Sequence, residues 1–323
     1  MRAVVLTGPS RLEAIELDPP ECGPHEVLLS MSALGVGDQD VAAFRGRRPV
    51  GSLPWVLGRQ GVGEIAAIGE RVTRPYRLGQ QVVVEPDFCC RGCRACAAWF
   101  SSACAERESI GLDRPGLLAE FVAVPAHFTW PAPRAVPHED LVCVEPLAEA
   151  VAATRRAAVQ PRQRALLLGA DTRGLFLCLV LRARGLEVIV RDPVTERLDL
   201  ACSLGALPWT AGDDEFDVVF DNSGKRTALA EGIGGLLPGG TVMVLTGAAA
   251  PLDNAEVLKR QLIVRGSRGY DHPTDFPATV DALASGEFAP GKLARRRYSL
   301  QRANRAFEEA AVNVAKPWLS YDW

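Results

Sequence analysis

Two rhythms of apolar and polar positions divide the chain. Up to about Val144, short apolar runs are broken every few residues by Gly and Pro. Examples are Arg2–Leu6, Glu26–Ala33, Gly63–Ile68, Gln81–Glu85 and Glu120–Val124, with turns such as CGPH and YRLG between them. Short strands at such spacing predict an all-β, barrel-like unit. From about Pro146 helical stretches alternate with short apolar strands: strand Ala165–Leu168, helix Arg173–Arg184, strand Glu187–Val190, helix Glu196–Leu204, strand Asp217–Phe220, helix Arg226–Leu236 and strand Thr241–Leu245. These strands do not alternate in polarity, as expected of a parallel sheet covered by helices on both faces. The second pattern is that of an α/β, doubly wound nucleotide-binding domain. A strand-like RRRYSL and a helical ANRAFEEAA follow the last βα unit from about Phe288, which predicts a return to the first domain. The expected domains are therefore 1–147 with 287–323, and 148–286.

Composition narrows the class without changing the layout. The 323 residues leave room for two domains, and 48% hydrophobic and 23% charged residues are ordinary for a globular chain. A net charge of −3 predicts neither a nucleic-acid partner nor an acidic membrane surface. The longest apolar run, Leu175–Leu181, is too short to span a bilayer, and the first residues lack a signal-peptide pattern. The expected compartment is a reducing cytoplasm.

Four of the nine cysteines crowd into CRGCRACAAWFSSAC, as Cys90, Cys93, Cys96 and Cys104. Four thiolates so close can converge tetrahedrally on Zn²⁺, and a closed four-sulfur shell leaves no position for substrate. The reading is one structural zinc per chain in a lobe at 89–104, with a set of free thiols, Cys89 as their neighbour, the alternative. Cys22, Cys143, Cys178 and Cys202 read as small core residues.

After the strand ALLL, the loop GADTRG opens a helix. A dinucleotide fingerprint wants glycine at the first, third and sixth positions, for the turn, for close approach of pyrophosphate, and for helix–strand packing. Gly169 and Gly174 are in place, but the middle position is Asp171, which adds bulk and negative charge beside the expected pyrophosphate. Arg173 is placed to offset that charge. Asp192, which follows the second strand, suits the ribose hydroxyls of NAD(H) over NADP(H), while Arg191 beside it could accommodate a 2′-phosphate.

Together these pieces resemble the zinc-containing alcohol dehydrogenase branch of the medium-chain dehydrogenase/reductase superfamily. The likeness runs through MRAVVL, PWVLGRQGVGEIAAIGERV, LGQQVVV, the cysteine lobe, GLLAEFVAVP, VEPLAEAVAA, the dinucleotide unit, LLPGGTVMVLTG and the tail LIVRGSRGY…FPATVDALASGEF. VEPL points to the polyol, sugar and cyclitol dehydrogenases of that branch. The resemblance implies a GroES-like β-barrel catalytic domain, a Rossmann domain, a nicotinamide that transfers hydride, and a homodimer or homotetramer. It also implies cofactor contacts: Arg197 by the adenine ribose, Ser223, Gly224, Thr246, Gly247 and Ser267 at the nicotinamide, and Lys316 near the pyrophosphate.

The same resemblance says where a catalytic zinc belongs, and there the sequence departs. The expected cysteine is Gly37, and the expected histidine and glutamate are Arg59 and Gln60. Asp38 and Gln39 replace the usual small pair, Asp40 keeps the family's acid, and of the ligand set only Glu145 in VEPL survives. One carboxylate and an amide are too few for a catalytic zinc, which needs about three protein ligands. Arg59 is expected to pair with Glu145 across the former metal site, either as a functional charge or as structural filling. Three classes of function follow. The first is a nicotinamide-dependent oxidoreductase acting on a small polar or cyclic molecule, alcohol/ketone or conjugated C=C or C=N, with Arg59, Gln60, Asp40 and Glu145 as its site. The second is a non-redox enzyme, such as an eliminase or isomerase, with a vestigial or structural nucleotide. The third is a non-catalytic relative. None of the four histidines, His25, His127, His138 and His272, is given a role.

Overall fold

The computed structural model describes residues 1–210, 212, 214–248, 252–312 and 314–322. They form two compact units, Met1–Glu145 with His272–Trp323, and Pro146–Asp271. The chain returns to the first unit at His272, fifteen residues before the expected 287. The reason is local: the helix Asp275–Ala284 packs on His138–Leu141 of the first unit, and its buried Phe276, Val280 and Leu283 join that unit's interior. No helix among the described residues is long and apolar enough to cross a membrane.

The first unit is built on a mostly antiparallel sheet. Its spatial order is Thr129–Pro131, Gln81–Val84, Gln60–Ile68, Glu26–Gly35, Pro317–Ser320 and Arg296–Ser299, with Phe121–Pro125 also on Glu26–Gly35. The central strand Glu26–Gly35 buries every second residue over most of its length, as a strand with one face on the core must. Its neighbour begins at Gln60, three residues before the expected Gly63, because Gly58 at φ +106° turns the chain into the sheet early. Register then places Gln60 opposite Gly35. A short helix, Asp38–Phe44, follows Glu26–Gly35 and packs against Ala303–Ala310 from the C-terminal segment. Phe44 and Phe307 meet with ring centroids 5.2 Å apart, and both are fully buried.

The second unit is a six-stranded parallel sheet in the order Leu207–Pro208, Glu187–Arg191, Arg164–Leu168, Phe216–Asp221, Leu236–Val244 and Ile263–Gly266. In order of appearance that is 3-2-1-4-5-6, the dinucleotide-binding arrangement. The helices Thr172–Ala183, Thr195–Ser203, Arg226–Gly234 and Asn254–Arg260 alternate with the strands. The fifth strand starts at Leu236 where a helix end was expected, since the chain runs through Pro238–Gly240 with a register shift against Phe216–Asp221. The edge strands Leu207–Pro208 and Ile263–Gly266 are exposed along their length, so no apolar run announces them.

Phe307 ties the C-terminal helix to the helix that carries Asp40. Phe307→Ala is expected to cost about 3–5 kcal/mol, read as a lowered denaturation midpoint in urea; an unchanged midpoint would show that this contact carries no load.

Candidate active site

The first unit brings Arg59, Gln60 and Glu145 into one buried cluster. Arg59 precedes its strand, Gln60 opens it, and Glu145 stands in the first turn of the helix Val144–Ala157, where a negative charge is favoured. The Arg59 Nη2 donates to Glu145 Oε1 at 3.3 Å, and the Gln60 amide Nε2 donates to Glu145 Oε2. Both carboxylate oxygens are thus engaged by protein donors. The same Arg59 Nη2 reaches Asp87 Oδ1 at 3.2 Å, so one guanidinium nitrogen stands between two carboxylates. Arg59, Gln60 and Glu145 are each less than 9% exposed, a setting in which an ion pair needs further hydrogen bonds to offset its desolvation.

Gly37 and Gln60 are sterically linked. A Cβ at Gly37 would lie 2.7 Å from Gln60 Nε2, so the amide fills the space that a side chain at 37 would need. Glycine at 37 and glutamine at 60 are thus matched in volume.

Asp40 completes the cluster. Its Oδ2 accepts from the N–H of Gly37 at 3.1 Å, closing the helix start, while Oδ1 is buried without a partner. Gln60 Oε1 is buried and unpartnered likewise. Burial pushes the Asp40 carboxyl up to about 6; Arg59, the Gly37 N–H and Lys316 pull it down and Glu145 adds to the rise. Lys316 is also buried here, in the first unit, with Asp40 and Glu145 among the charges acting on it. Burial lowers the pKa of its ammonium group. Its place among the altered ligand positions, not on the nucleotide loop's own unit, went unseen in the sequence. So did Asp87, Arg107 and Ser109: Ser109 Oγ donates to Asp87 Oδ1 at 2.5 Å and Arg107 Nη1 stands 3.6 Å from Asp87 Oδ2. The register of Asp87–Phe88 against Glu108–Ser109 pairs Asp87 with Ser109, but strands two residues long leave no pattern to read. His272, given no role above, meets the buried Glu85 at 2.9 Å, and Trp130 Nε1 donates to the same oxygen at 2.7 Å.

The cysteine lobe has the geometry of a metal site. The Sγ atoms of Cys90, Cys93, Cys96 and Cys104 all lie within 4.8 Å of one another. Cys93–Cys96 and Cys93–Cys104 are 3.6 and 3.8 Å, close to the spacing of about 3.8 Å that tetrahedral Zn–S bonds of about 2.3 Å impose. The N–H groups of Cys90 and Cys93 point at the Cys104 and Cys90 sulfurs. Among the described residues this is the one cluster of His, Cys, Asp or Glu side chains disposed to hold a metal ion. Cys89 is buried outside it.

In the second unit the expected cofactor residues gather where the parallel strands end. Gly169, Asp192, Ser223, Thr246, Gly247 and Ser267 each follow the carboxyl end of a different strand or share one, the edge at which such sheets bind ligands. A Cβ at Gly174 would fall 2.2 Å from the Gly169 carbonyl oxygen, so helix and turn meet too closely for any side chain. Asp171 does not project freely into the loop. It is the helix N-cap: Oδ1 accepts from the Gly174 N–H at 3.0 Å and from Asn222 Nδ2 at 2.7 Å. Asp192 is held too, accepting from the N–H groups of Ala170 at 2.7 Å and Val194 at 2.8 Å, with Arg197 at 3.8 Å. Arg173 donates to the Leu245 carbonyl, Ser223 to Asp221, and Ser267 accepts from Arg156. Thr246 Oγ1 is buried and unpartnered.

Comparison with known proteins agrees with this layout. Residues 23–134 match the family described as alcohol dehydrogenase GroES-like domain, and residues 174–285 match zinc-binding dehydrogenase. The chain is 30% identical to the "Probable D-xylulose reductase A" of Aspergillus clavatus, over 88% of this chain and 86% of that one. It is 27% identical to the L-galactonate-5-dehydrogenase of Escherichia coli K12, over 97% and 96%. Among solved structures, a short chain alcohol dehydrogenase from E. coli CFT073 complexed with NADH superposes with a TM-score of 0.91 over 99% of both chains, and at 24% identity the likeness is one of fold.

Asp40 makes stability depend on pH in a definite direction. With its folded value near 6 and its ordinary value 3.8, the carboxylate is stabilising for neither state below about pH 4 and costs the folded state as pH rises through 6. The shift of about two units amounts to on the order of 3 kcal/mol. Asp40→Asn, which keeps an acceptor for Gly37, is expected to exceed the parent in urea stability at pH 7.5 and to lose that advantage at pH 4; an equal difference at both values would refute the charge cost.

Proposed function

Because the chain belongs to the zinc-containing alcohol dehydrogenase branch of the medium-chain dehydrogenase/reductase superfamily, we propose that it is a nicotinamide-dependent oxidoreductase in which Arg59 stands in for the catalytic metal. The observation that carries this is the engagement of both Glu145 oxygens by Arg59 and Gln60. Position 37 offers no side chain, Arg59 repels a cation, and the surviving carboxylate is already bound, so the residues present do not fit a catalytic zinc. The cysteine lobe does fit a structural zinc, held by Cys90, Cys93, Cys96 and Cys104.

A nicotinamide held by the loop at Gly169 and Gly174, with Asp192 at its ribose, would supply hydride chemistry. Arg59 contributes a permanent positive charge with fixed donors where negative charge develops on a substrate oxygen, though without Lewis acidity. Asp40, with a value near 6, suits proton exchange near neutral pH, and its Oδ1 and the Gln60 Oε1 are acceptors waiting for donors. Hydroxyl groups supply such donors, which favours a small polyhydroxylated substrate at the alcohol/ketone level. The sugar and sugar-acid names of the relatives point the same way. The Asp192 carboxylate favours NAD(H), since a 2′-phosphate would meet its charge. A second reading, non-redox chemistry with a vestigial nucleotide, is favoured by Asp171, whose carboxylate occupies the helix N-terminus that a pyrophosphate would use.

Fluorescence titration separates the two: NADH is expected to bind more tightly than NADPH, and no binding of either at about millimolar concentration would overturn the redox reading. Asp171→Gly is expected to tighten NADH binding about tenfold by removing a like charge; unchanged affinity would mean the cofactor avoids that helix end. For the metal, the triple variant Gly37→Cys/Arg59→His/Gln60→Glu should take up a second zinc per chain, whereas Gly37→Cys alone should not, because Gln60 obstructs it. A second zinc in the single variant would contradict the assignment.

A further inference from the structure

The cysteine lobe hangs from a ladder of two residues on each side, Asp87–Phe88 against Glu108–Ser109. Little within the lobe can hold its shape. Its helix Arg94–Ala97 buries none of its residues, and its two large aromatic side chains, Trp99 and Phe100, are 65% and 57% exposed. A loop of this kind, without an apolar core, takes its fold from the metal that its thiolates bind.

The foot of that ladder touches the active site. Asp87 Oδ1 accepts at once from Ser109 Oγ, its cross-strand partner, at 2.5 Å and from Arg59 Nη2 at 3.2 Å. Its Oδ2 faces Arg107 Nη1 at 3.6 Å, and the same Nη1 donates to the carbonyl of Ser102 inside the lobe at 3.4 Å. Asp87 therefore holds the site's guanidinium with one oxygen while the ladder and the lobe fix the carboxylate. Because Arg59 Nη2 lies 3.3 Å from Glu145 on its other side, a shift of Asp87 changes the balance that sets the guanidinium's position. A second attachment of the lobe, the His272 N–H donating to Ser101 Oγ at 2.6 Å, reaches the segment just before Asp87, since the His272 ring meets Glu85 at 2.9 Å.

We propose that Asp87 is a positioning residue for Arg59, and that through the Asp87–Ser109 ladder the metal in the cysteine lobe sets where the active-site cation stands. The lobe then does more than stabilise the fold. Any event that empties it, chelation or oxidation of its thiolates, releases Arg59 and switches the site off. The inference takes from the preceding section only that Arg59 is the group a substrate meets.

The test reads Arg59 directly, by modification with phenylglyoxal and peptide mass spectrometry on the full-length protein. Arg156, 9% exposed at its side chain and bonded to Asp271 in the other unit, serves as the internal control. In Asp87→Asn with its zinc content intact, Arg59 is expected to react about tenfold faster than in the parent while Arg156 is unchanged, the signature of local release. Ser109→Ala, which keeps the carboxylate and loosens its anchor, should shift Arg59 in the same direction by less. Removal of zinc from the parent with a chelator should expose Arg59 as Asp87→Asn does. Continued protection of Arg59 in Asp87→Asn, or after zinc is lost, would overturn the proposal, as would a parallel rise at Arg156. No substrate or nucleotide enters the measurement, so failure of the redox reading would leave this result standing.

Discussion

A carboxylate buried at the start of a helix has to be met by positive charge or by a proton, and the centre of the first unit is organised around how Glu145 is met. In a zinc enzyme of this architecture the metal would do it. Here Arg59 and Gln60 do, one oxygen each, and the rest of the site follows from that division. A guanidinium is larger than an ion and is directional, so it needs a second acceptor, which Asp87 provides. The Gln60 amide needs the volume beside residue 37, which only glycine leaves open. Two acidic groups remain close to the pair, and they differ in outcome. Burial raises Asp87 too, but Arg59 and Arg107 outweigh it and hold that carboxyl below its usual range, whereas Asp40 is left high. A buried ion pair of this kind is costly to break from one side.

The second unit meets the same problem with the opposite sign. A helix N-terminus offers unsatisfied N–H groups and favours an anion. Asp171 supplies that anion from the chain itself, with Asn222 as an additional donor to it. A cofactor pyrophosphate brought to this loop would meet an internal carboxylate that already caps the helix. Positions 171 and 59 thus each place a charged side chain where the family resemblance implies a charged guest.

Much of this was legible in the sequence, and the limits have physical causes. The parallel sheet was readable because its central strands are uninterrupted apolar runs, and the cysteine lobe because thiol spacing is a strong signal. The pairing of Arg59 with Glu145 could be anticipated because both sit at positions a metal would bridge. The involvement of Asp87 could not, since it depends on a cross-strand register set by two-residue strands. Lys316 was assigned to the pyrophosphate by likeness; its buried place among Asp40 and Glu145 depends on the return of the C-terminal strand Pro317–Ser320 beside Glu26–Gly35. The early return of the chain at His272 was hidden because the helix Asp275–Ala284 reads equally well as a further βα element. Asp171 was recognised as a conflict, but only the fold shows its resolution as an N-cap.

The central claim, that a buried ion pair has taken the catalytic metal's place while the cysteine lobe keeps its own, is tested most directly by an anomalous-difference map. Crystals grown in excess zinc would be measured on both sides of the zinc absorption edge. A single peak per chain among Cys90, Cys93, Cys96 and Cys104, with Arg59 still bonded to Glu145, is the predicted result. A second peak coordinated by Glu145, with Arg59 displaced, would contradict it.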